Sequence, residues 1–381
     1  MKLLHTSDWH LGMTFRGGVS YQKDQEFFIA EIQRIAEEEK VDGILLAGDV
    51  FDKGIASPEA LGLYDRTMTR FCAELGIKVF LAAGNHDGAE RISQCSELLK
   101  KSGLYIAGSL KKEPQVARFE DVDIYLLPWI STDKVRAVYK EQAEAVYTME
   151  DAYQVVLEHY KENFVKGKKN ILVAHAFLVN ATTSVSDRAA EIGQAAMVGS
   201  YLFEGFDYVA LGHIHGPQQI TERIRYSGTP MAYSFGREET QEKSVTILDT
   251  DTLEKKVCPV KQLHKRSTLT GTYEELVQAE YPEEIQNGYV CLNVTDRYVG
   301  MDAAAGFREK YPSLLEILCK SFENDTAKIH MSIEELEQTN RKPEAVFQKF
   351  CEDMFGEAPG EHKEQLFLKA LRCYEKEVQG E

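Results

Sequence analysis

At 381 residues, 43% hydrophobic and 28% charged, the chain has the apolar material for one large domain and at least one smaller one, which excludes a disordered or collagen-like polymer. A formal charge of −17 excludes a protein that holds nucleic acid by bulk attraction alone, so any DNA contact has to be local, metal-assisted or lent by a partner. Seven scattered cysteines without a CxxC pair exclude a zinc knuckle and a disulfide framework, and suggest buried thiols in a reducing compartment.

The apolar run at 2–5 reads as a buried strand, and Ser7, Asp8 and His10 cut it off before it could form a signal-peptide core. Residues 26–39 place Phe27, Ile29, Ile32, Ile35 and Ala36 at helical spacing. Strand-like runs follow at 43–47 and 77–82. Between them Ser57 and Pro58 predict an N-cap and a first helical residue, opening a helix to about Glu74. A further helix is expected over 89–101. The alternation at 116–127 predicts an antiparallel pair closing on the apolar run 124–127. Residues 151–164 are helical by the spacing of Val155, Val156 and Tyr160, 171–174 and 208–211 are buried strands, and 218–226 predicts a second antiparallel pair.

A smaller unit begins near Ser267, with a strand at 288–294, a helix at 302–310 and a strand at 314–319. Residues 322–342 are polar and irregular. Residues 343–355 and 361–377 read as amphipathic helices around the turn 356–360. The part from Gly271 onward carries 12 Lys/Arg against 23 Asp/Glu, a poor composition for a DNA-binding arm. No stretch approaches the length of a membrane-spanning helix, so the expectation is a cytoplasmic α/β protein with one mixed sheet or two packed sheets.

Four short phrases share a habit: Asp8-Trp9-His10, Gly48-Asp49-Val50-Phe51-Asp52, Gly84-Asn85-His86-Asp87 and Gly212-His213-Ile214-His215. Each follows an apolar run directly, and Ala174-His175-Ala176 does the same. Ligands of α/β sheets bind where the carboxyl ends of strands converge, so five strand ends can meet at one place. Asp8, His10, Asp49, Asn85, His175, His213 and His215 mix imidazole nitrogen with carboxylate and amide oxygen, a set suited to two borderline divalent ions. A carboxylate such as Asp49 can bridge two such ions, and a pair roughly 3.5–4 Å apart can activate water and clamp a phosphoryl oxygen. Each phrase alone has an ordinary alternative: a surface pair or cap for Asp-x-His, a left-handed turn for GNHD, a satisfied core histidine for His175. His5, His159, His264, His330 and His362 have no such setting and read as ordinary.

Together, D-x-H, GD-x-x-D, GNHD, a single His and GHIH resemble the signature of the calcineurin-like metallophosphoesterases. More narrowly, HTSDWHLG, GDVFDKGIASPEA, FDYVALGHIHGPQ, YSGTPMAYSFGREETQEKSV, YVCLNVTD and FREKYPSLLEI resemble the SbcD-type nuclease subunits of bacterial SbcCD complexes, over essentially the whole chain. The resemblance implies a four-layer sandwich of two mixed sheets flanked by helices, with a nuclease domain over 1–266, a small α+β capping domain over 267–340 and C-terminal helices over 341–381.

It also implies a first metal on Asp8, His10, Asp49 and His215 and a second on Asp49, Asn85, His175 and His213, most simply Mn²⁺. By the same carry-over His86 sits beside the scissile phosphate, Asp87 either orients His86 or caps the helix after it, and Asp52 helps position the site. Arg91 and Arg188 are candidate phosphate contacts or plain surface arginines. The implied activity is double-strand 3′–5′ exonuclease and single-strand or hairpin endonuclease. The implied partner is a SbcC-type ABC ATPase with a long coiled coil, gripped through Val346, Phe347, Phe350, Phe355, Leu366, Phe367, Leu368 and Leu371, with a homodimer of this chain, through the helix at 57–74, inside a heterotetramer. Between His175 and Gly212 the sequence departs from the family's S-x-S-E-R and Gly pair, reading Ser184-Val185-Ser186-Asp187-Arg188 and Ile192-Gly193-Gln194. A phosphatase or nucleotide phosphodiesterase on the same scaffold, or a non-cutting subunit of the ATPase, are the alternatives.

Overall fold

The computed structural model describes residues 1–15, 18–184, 186–187, 197–296 and 301–319, and beyond them 343, 347–348, 351, 358–360, 363–369 and 371. Strands β1 (Lys2–Thr6), β2 (Gly43–Ala47), β3 (Lys78–Ala82) and β4 (Leu104–Ala107) lie side by side and parallel. Helix α1 (Gln22–Glu39) connects β1 to β2 and buries Phe28, Ile29, Ile32, Ile35 and Ala36, the stripe expected of a helix covering a sheet. Helix α2 (Pro58–Thr69) connects β2 to β3, with Pro58 at the first position and the Ser57 hydroxyl accepting the Ala60 N–H at 3.2 Å. It continues through a single wide turn, Arg70–Glu74.

The helix expected over 89–101 is broken into α3 (Ala89–Ile92), α4 (Ser96–Leu99) and a 3₁₀ turn, Lys100–Ser102. Ser93 turns its hydroxyl back onto the Ala89 carbonyl, and Cys95 takes a left-handed backbone, φ 59°, which no helix continues through.

The second sheet starts with the antiparallel pair β5 (Gln115–Arg118) and β6 (Val122–Leu127), then adds β7 (Lys169–His175) and β8 (Tyr208–Gly212) in parallel. Strands β9 (Gln218–Gln219) and β10 (Ile224–Tyr226) pair with each other, and β10 joins β8. Helices α5 (Thr132–Val138) and α6 (Met149–Glu162) lie between β6 and β7, and α6 opens on a reciprocal cap between Thr148 and Asp151. After the short α7 (Arg237–Thr240), β11 (Ser244–Asp249) and β12 (Lys255–Pro259) return to the first sheet, giving orders β12-β11-β1-β2-β3-β4 and β5-β6-β7-β8-β10-β9.

The period of two along the strands sorts their side chains. Leu3, Leu45, Phe80, Ile124, Leu126, Ile171, Val173 and Ala210 form one cluster between the sheets. Tyr125, Leu127, Leu172, Ala174, Val209 and Leu211 face the other way and cluster with Tyr153, Val156 and Tyr160 of α6. Two mixed sheets flanked by helices result, as the sequence predicts. Both sheets point the carboxyl ends of β1, β2, β3, β7 and β8 at the same region.

The chain divides into two units, Met1–Thr268 with Pro282–Val290, and Leu269–Tyr281 with Cys291–Glu381. Strands β13 (Arg266–Gly271), β14 (Tyr289–Val294) and β15 (Leu314–Cys319) form a third sheet in that order. Helices α8 (Tyr273–Gln278), α9 (Glu283–Gln286) and α10 (Met301–Lys310) fall between its strands. In the second unit Tyr311 is buried and donates its hydroxyl to the Leu276 carbonyl at 2.6 Å. Phe347 stacks on Phe367 with ring centroids 4.1 Å apart, while the polar stretch 322–342 and Val346, Phe350 and Phe355 lie outside the described residues. Among the described residues no helix is long and apolar enough to cross a membrane.

Candidate metal centre

The loops after β1 and β2 are stitched by their backbones: Asp8 N–H donates to the Gly48 carbonyl at 3.0 Å and His10 N–H to the Asp49 carbonyl at 2.9 Å. The Asp8 carboxylate reaches the other sheet, accepting the His213 N–H at 3.0 Å. Close approach demands glycine at two points. A Cβ on Gly48, whose φ is +84°, would stand 2.3 Å from the His175 ring, and one on Gly84 would stand 2.1 Å from Asp49 Oδ1. Asp8, His10, Asp49 and His213 all hold positive φ, four of the eight non-glycine residues that do so among the described residues.

These loops bring all seven predicted ligands together. Asp49 Oδ1 is occupied by the His86 N–H at 2.9 Å, while Oδ2 lies 3.4 Å from His175 Nε2 and 3.9 Å from His10 Nε2. On one side of it His10 Nε2 and His215 Nε2 stand 3.1 Å apart, and Asp8, His10 and His215 offer ligand atoms within 4.8 Å of one another. On the other side His175 Nε2 is 3.0 Å from Asn85 Oδ1 and 3.3 Å from His213 Nδ1, and the latter is 3.2 Å from Asn85 Oδ1. The His175 Nδ1–H donates to the Ala47 carbonyl at 2.9 Å, which turns Nε2 inward.

Lone pairs thus face lone pairs around Asp49, most closely where His10 Nε2 and His215 Nε2 stand 3.1 Å apart. A cation resolves such an arrangement. The nitrogen-and-oxygen donor set without thiolate fits Mn²⁺, Fe²⁺ or Zn²⁺.

The electrostatics agree. Burial, reinforced by Asp49 and resisted by His175, pushes Asp8 up to about 8. Burial opposes the charge on Asp49 too, but His175, His10 and His86 outweigh it and hold the carboxyl well below its ordinary range. Burial works against a charge on His175, yet Asp49 and Asp8 lift it to about 9. Burial depresses His10, His213 and His215, the second to about 3. Without metal, protons on Asp8 and His175 do the cation's work.

His86 sits beside the cluster with Nε2 4.0 Å from Asp49 Oδ2, its ring edge-on to His10 and its Nδ1–H donating to the Asp52 backbone carbonyl at 2.8 Å. Asp52 therefore positions His86 through its main chain. Asp87 takes a job the sequence did not foresee: its carboxylate accepts the N–H groups of Gly84 at 2.8 Å and Phe51 at 3.0 Å, tying two ligand loops together. The cap position of α3 belongs to Gly88. Arg91 donates to the Gly54 carbonyl at 2.7 Å, and Arg188 lies outside the described residues.

Sequence reasoning missed Trp129, whose ring stacks on His213 at 5.2 Å, although it follows the apolar run of β6 as the ligands follow theirs. It gave no role to Ser186, Asp187, Glu238 and Lys243 behind His215, although the first two lie in the altered loop after His175 and the last two in the phrase YSGTPMAYSFGREETQEKSV. His5, read as ordinary, is a core residue satisfied by the Tyr208 hydroxyl at 2.9 Å and the Leu211 carbonyl at 3.1 Å.

A family model described as calcineurin-like phosphoesterase matches residues 1–217. The SbcD polypeptide of the SbcCD nuclease of Staphylococcus epidermidis is 31% identical, over 87% of this chain and 89% of its own length. Its counterpart from Staphylococcus saprophyticus is 29% identical, over 88% and 89%. The solved structure of an archaeal phosphodiesterase, 14% identical, aligns with 68% of this chain and 99% of that one at a TM-score of 0.33, too remote to add to the assignment. The chain belongs to the calcineurin-like phosphoesterase family, in the branch of the SbcD polypeptides of SbcCD nucleases, and is a metal-dependent phosphodiester hydrolase.

Proposed function

We propose that the chain is a Mn²⁺-dependent DNA nuclease, the SbcD component of an SbcCD-type repair and recombination complex, with double-strand 3′–5′ exonuclease and single-strand or hairpin endonuclease activity. The observation that carries the reading is Asp49 Oδ2, which faces His10 on one side and His175 on the other while Oδ1 is held by the His86 N–H. Asp8, His10, Asp49 and His215 hold one cation, and Asp49, Asn85, His175 and His213 the other. When bound, the two cations supply the Lewis acidity that activates water and offsets phosphoryl charge.

This chain's own residues do the rest. Asp8, His10, Asp49, His175 and His215 are buried, which strengthens the charge interactions among them, while the half-buried Asn85, His86 and His213 leave the side a phosphate approaches from. His86, anchored by its Nδ1–H, presents Nε2 to the phosphate and delivers a proton from that atom to the departing oxygen.

An acidic chain needs help to hold DNA, and an ABC ATPase with a coiled coil supplies it, with the C-terminal segments around Phe347 and Phe367 as its docking site. Two copies of this chain pair in the complex through α2, with its exposed Leu61 and the exposed Ile55 just before it. A cytoplasmic setting fits Cys72, Cys95, Cys258 and Cys351, which form no disulfides.

Hairpin DNA, blunt duplex ends and nucleotide monoesters, assayed side by side with and without Mn²⁺, test the reading. Metal-dependent cleavage of the two DNA substrates is expected. Turnover of monoesters alone would make the chain a phosphatase, and no turnover with any substrate would leave a non-cutting component.

A further inference from the structure

We propose that Ser186 and Glu238 are positioning residues that fix the tautomer of His215, so that its bare Nε2 is always the atom turned to the metal centre. The proposal rests on the metal-centre reading above and adds two residues that no ligand motif contains.

The direction of each hydrogen bond behind His215 is set by the groups that make it. Glu238 and Lys243 are fully buried and paired at 2.7 Å, and a carboxylate facing an ammonium only accepts. Glu238 Oε1 receives Ser234 Oγ at 2.6 Å and Ser184 Oγ at 3.2 Å, and Ser186 Oγ lies against the same oxygen. Its other oxygen takes the Tyr233 N–H at 3.1 Å together with Lys243. Ser186 has one hydroxyl proton, which the carboxylate claims. Ser186 Oγ can then only accept from His215 Nδ1, 2.6 Å away. The His215 proton is placed on Nδ1, and Nε2, 3.1 Å from His10 Nε2, is left as a lone pair.

Neighbouring bonds lock the residue as well as the ring. His215 N–H donates to Asp187 Oδ1 at 2.8 Å, and the His215 carbonyl accepts from Lys243 Nζ at 3.1 Å. His175 anchors its Nδ1–H on one backbone carbonyl, whereas His215 depends on side chains more than twenty residues away on either side in sequence. A buried ion pair is seldom worth more to stability than apolar residues of the same size, so the cost of keeping Glu238 and Lys243 in the interior calls for another reason, and holding this imidazole supplies one.

The test uses the full chain and the variants Ser186→Ala, Ser186→Thr and Glu238→Gln. In the metal-free protein, nitrogen-15 NMR of the imidazoles is expected to show His215 as the Nδ1–H form with a slowly exchanging ring proton, lost in Ser186→Ala and restored in Ser186→Thr. In titrations with Mn²⁺ alone, Ser186→Ala and Glu238→Gln are expected to weaken one of two equivalents by about 10–100-fold and leave the other unchanged. Wild-type constants for both equivalents in both variants, or a wild-type His215 carrying its proton on Nε2, would overturn the proposal. If Glu238→Gln does not fold, Ser186→Ala, which removes one hydroxyl from a loop, decides alone. If the wild type takes fewer than two Mn²⁺, the metal-centre reading fails, while the NMR result still decides the tautomer.

Discussion

Asp49 divides its labour between two oxygens, one spent on a backbone N–H and one turned to His10 and His175, where the proposed bridge would form. Replacing it with Ala is expected to drop bound Mn²⁺ from two per chain to less than one by elemental analysis, with activity lost. Retention of two would refute the bridge. His86→Ala separates roles, since the ring is not among the proposed ligands: turnover should fall about 10²–10⁴-fold with metal content unchanged. Gly48→Ala drives a methyl group into His175 at a backbone angle that alanine resists, so metal content and activity should fall together. At this scale the sequence was most legible where a residue type and a strand end coincide, as at Asp8, Asp49 and His213. Asp87 and Glu238 were opaque because their partners are backbone groups and hydroxyls that no spacing announces.

Between residues and the whole molecule, β1 carries a pH dependence into the core. His5 is fully buried, and burial first, then Arg225, lowers it from 6.5 to about 3. Between those values the unfolded chain binds a proton that the folded chain refuses at His5, so the stability His5 contributes is complete above about 6.5 and is lost as pH falls toward 3, by a few kcal/mol at most. Denaturant titrations across that range should show the slope, and His5→Leu should flatten it by one proton. Thr148→Ala, which removes the reciprocal cap of α6, should cost about 1 kcal/mol in the same experiment. Strands and long helices were readable because one face of each is apolar at a fixed period. The break at Ser93–Cys95 was not, because a hydroxyl bonding back to a carbonyl leaves the periodic pattern intact.

For the molecule as a whole, cation and proton compete for one centre. With Asp8 near 8 and His175 near 9 in the metal-free protein, cation binding at neutral pH must expel protons, so affinity climbs as pH rises toward about 9. Calorimetry in buffers of different ionisation enthalpy should register the released protons, and heats that do not vary with buffer would contradict the shared centre. Saturating Mn²⁺ should also raise the unfolding free energy, by about 2.7 kcal/mol for each site filled to a hundred times its dissociation constant.

The same convergence has a developmental consequence. The proposed ligands come from five strand ends in two separate sheets, the first on residue 8 and the last on residue 215. A nascent chain that has emerged only as far as β7 carries five of the seven proposed ligands and still lacks His213 and His215, so on that proposal it cannot yet cut.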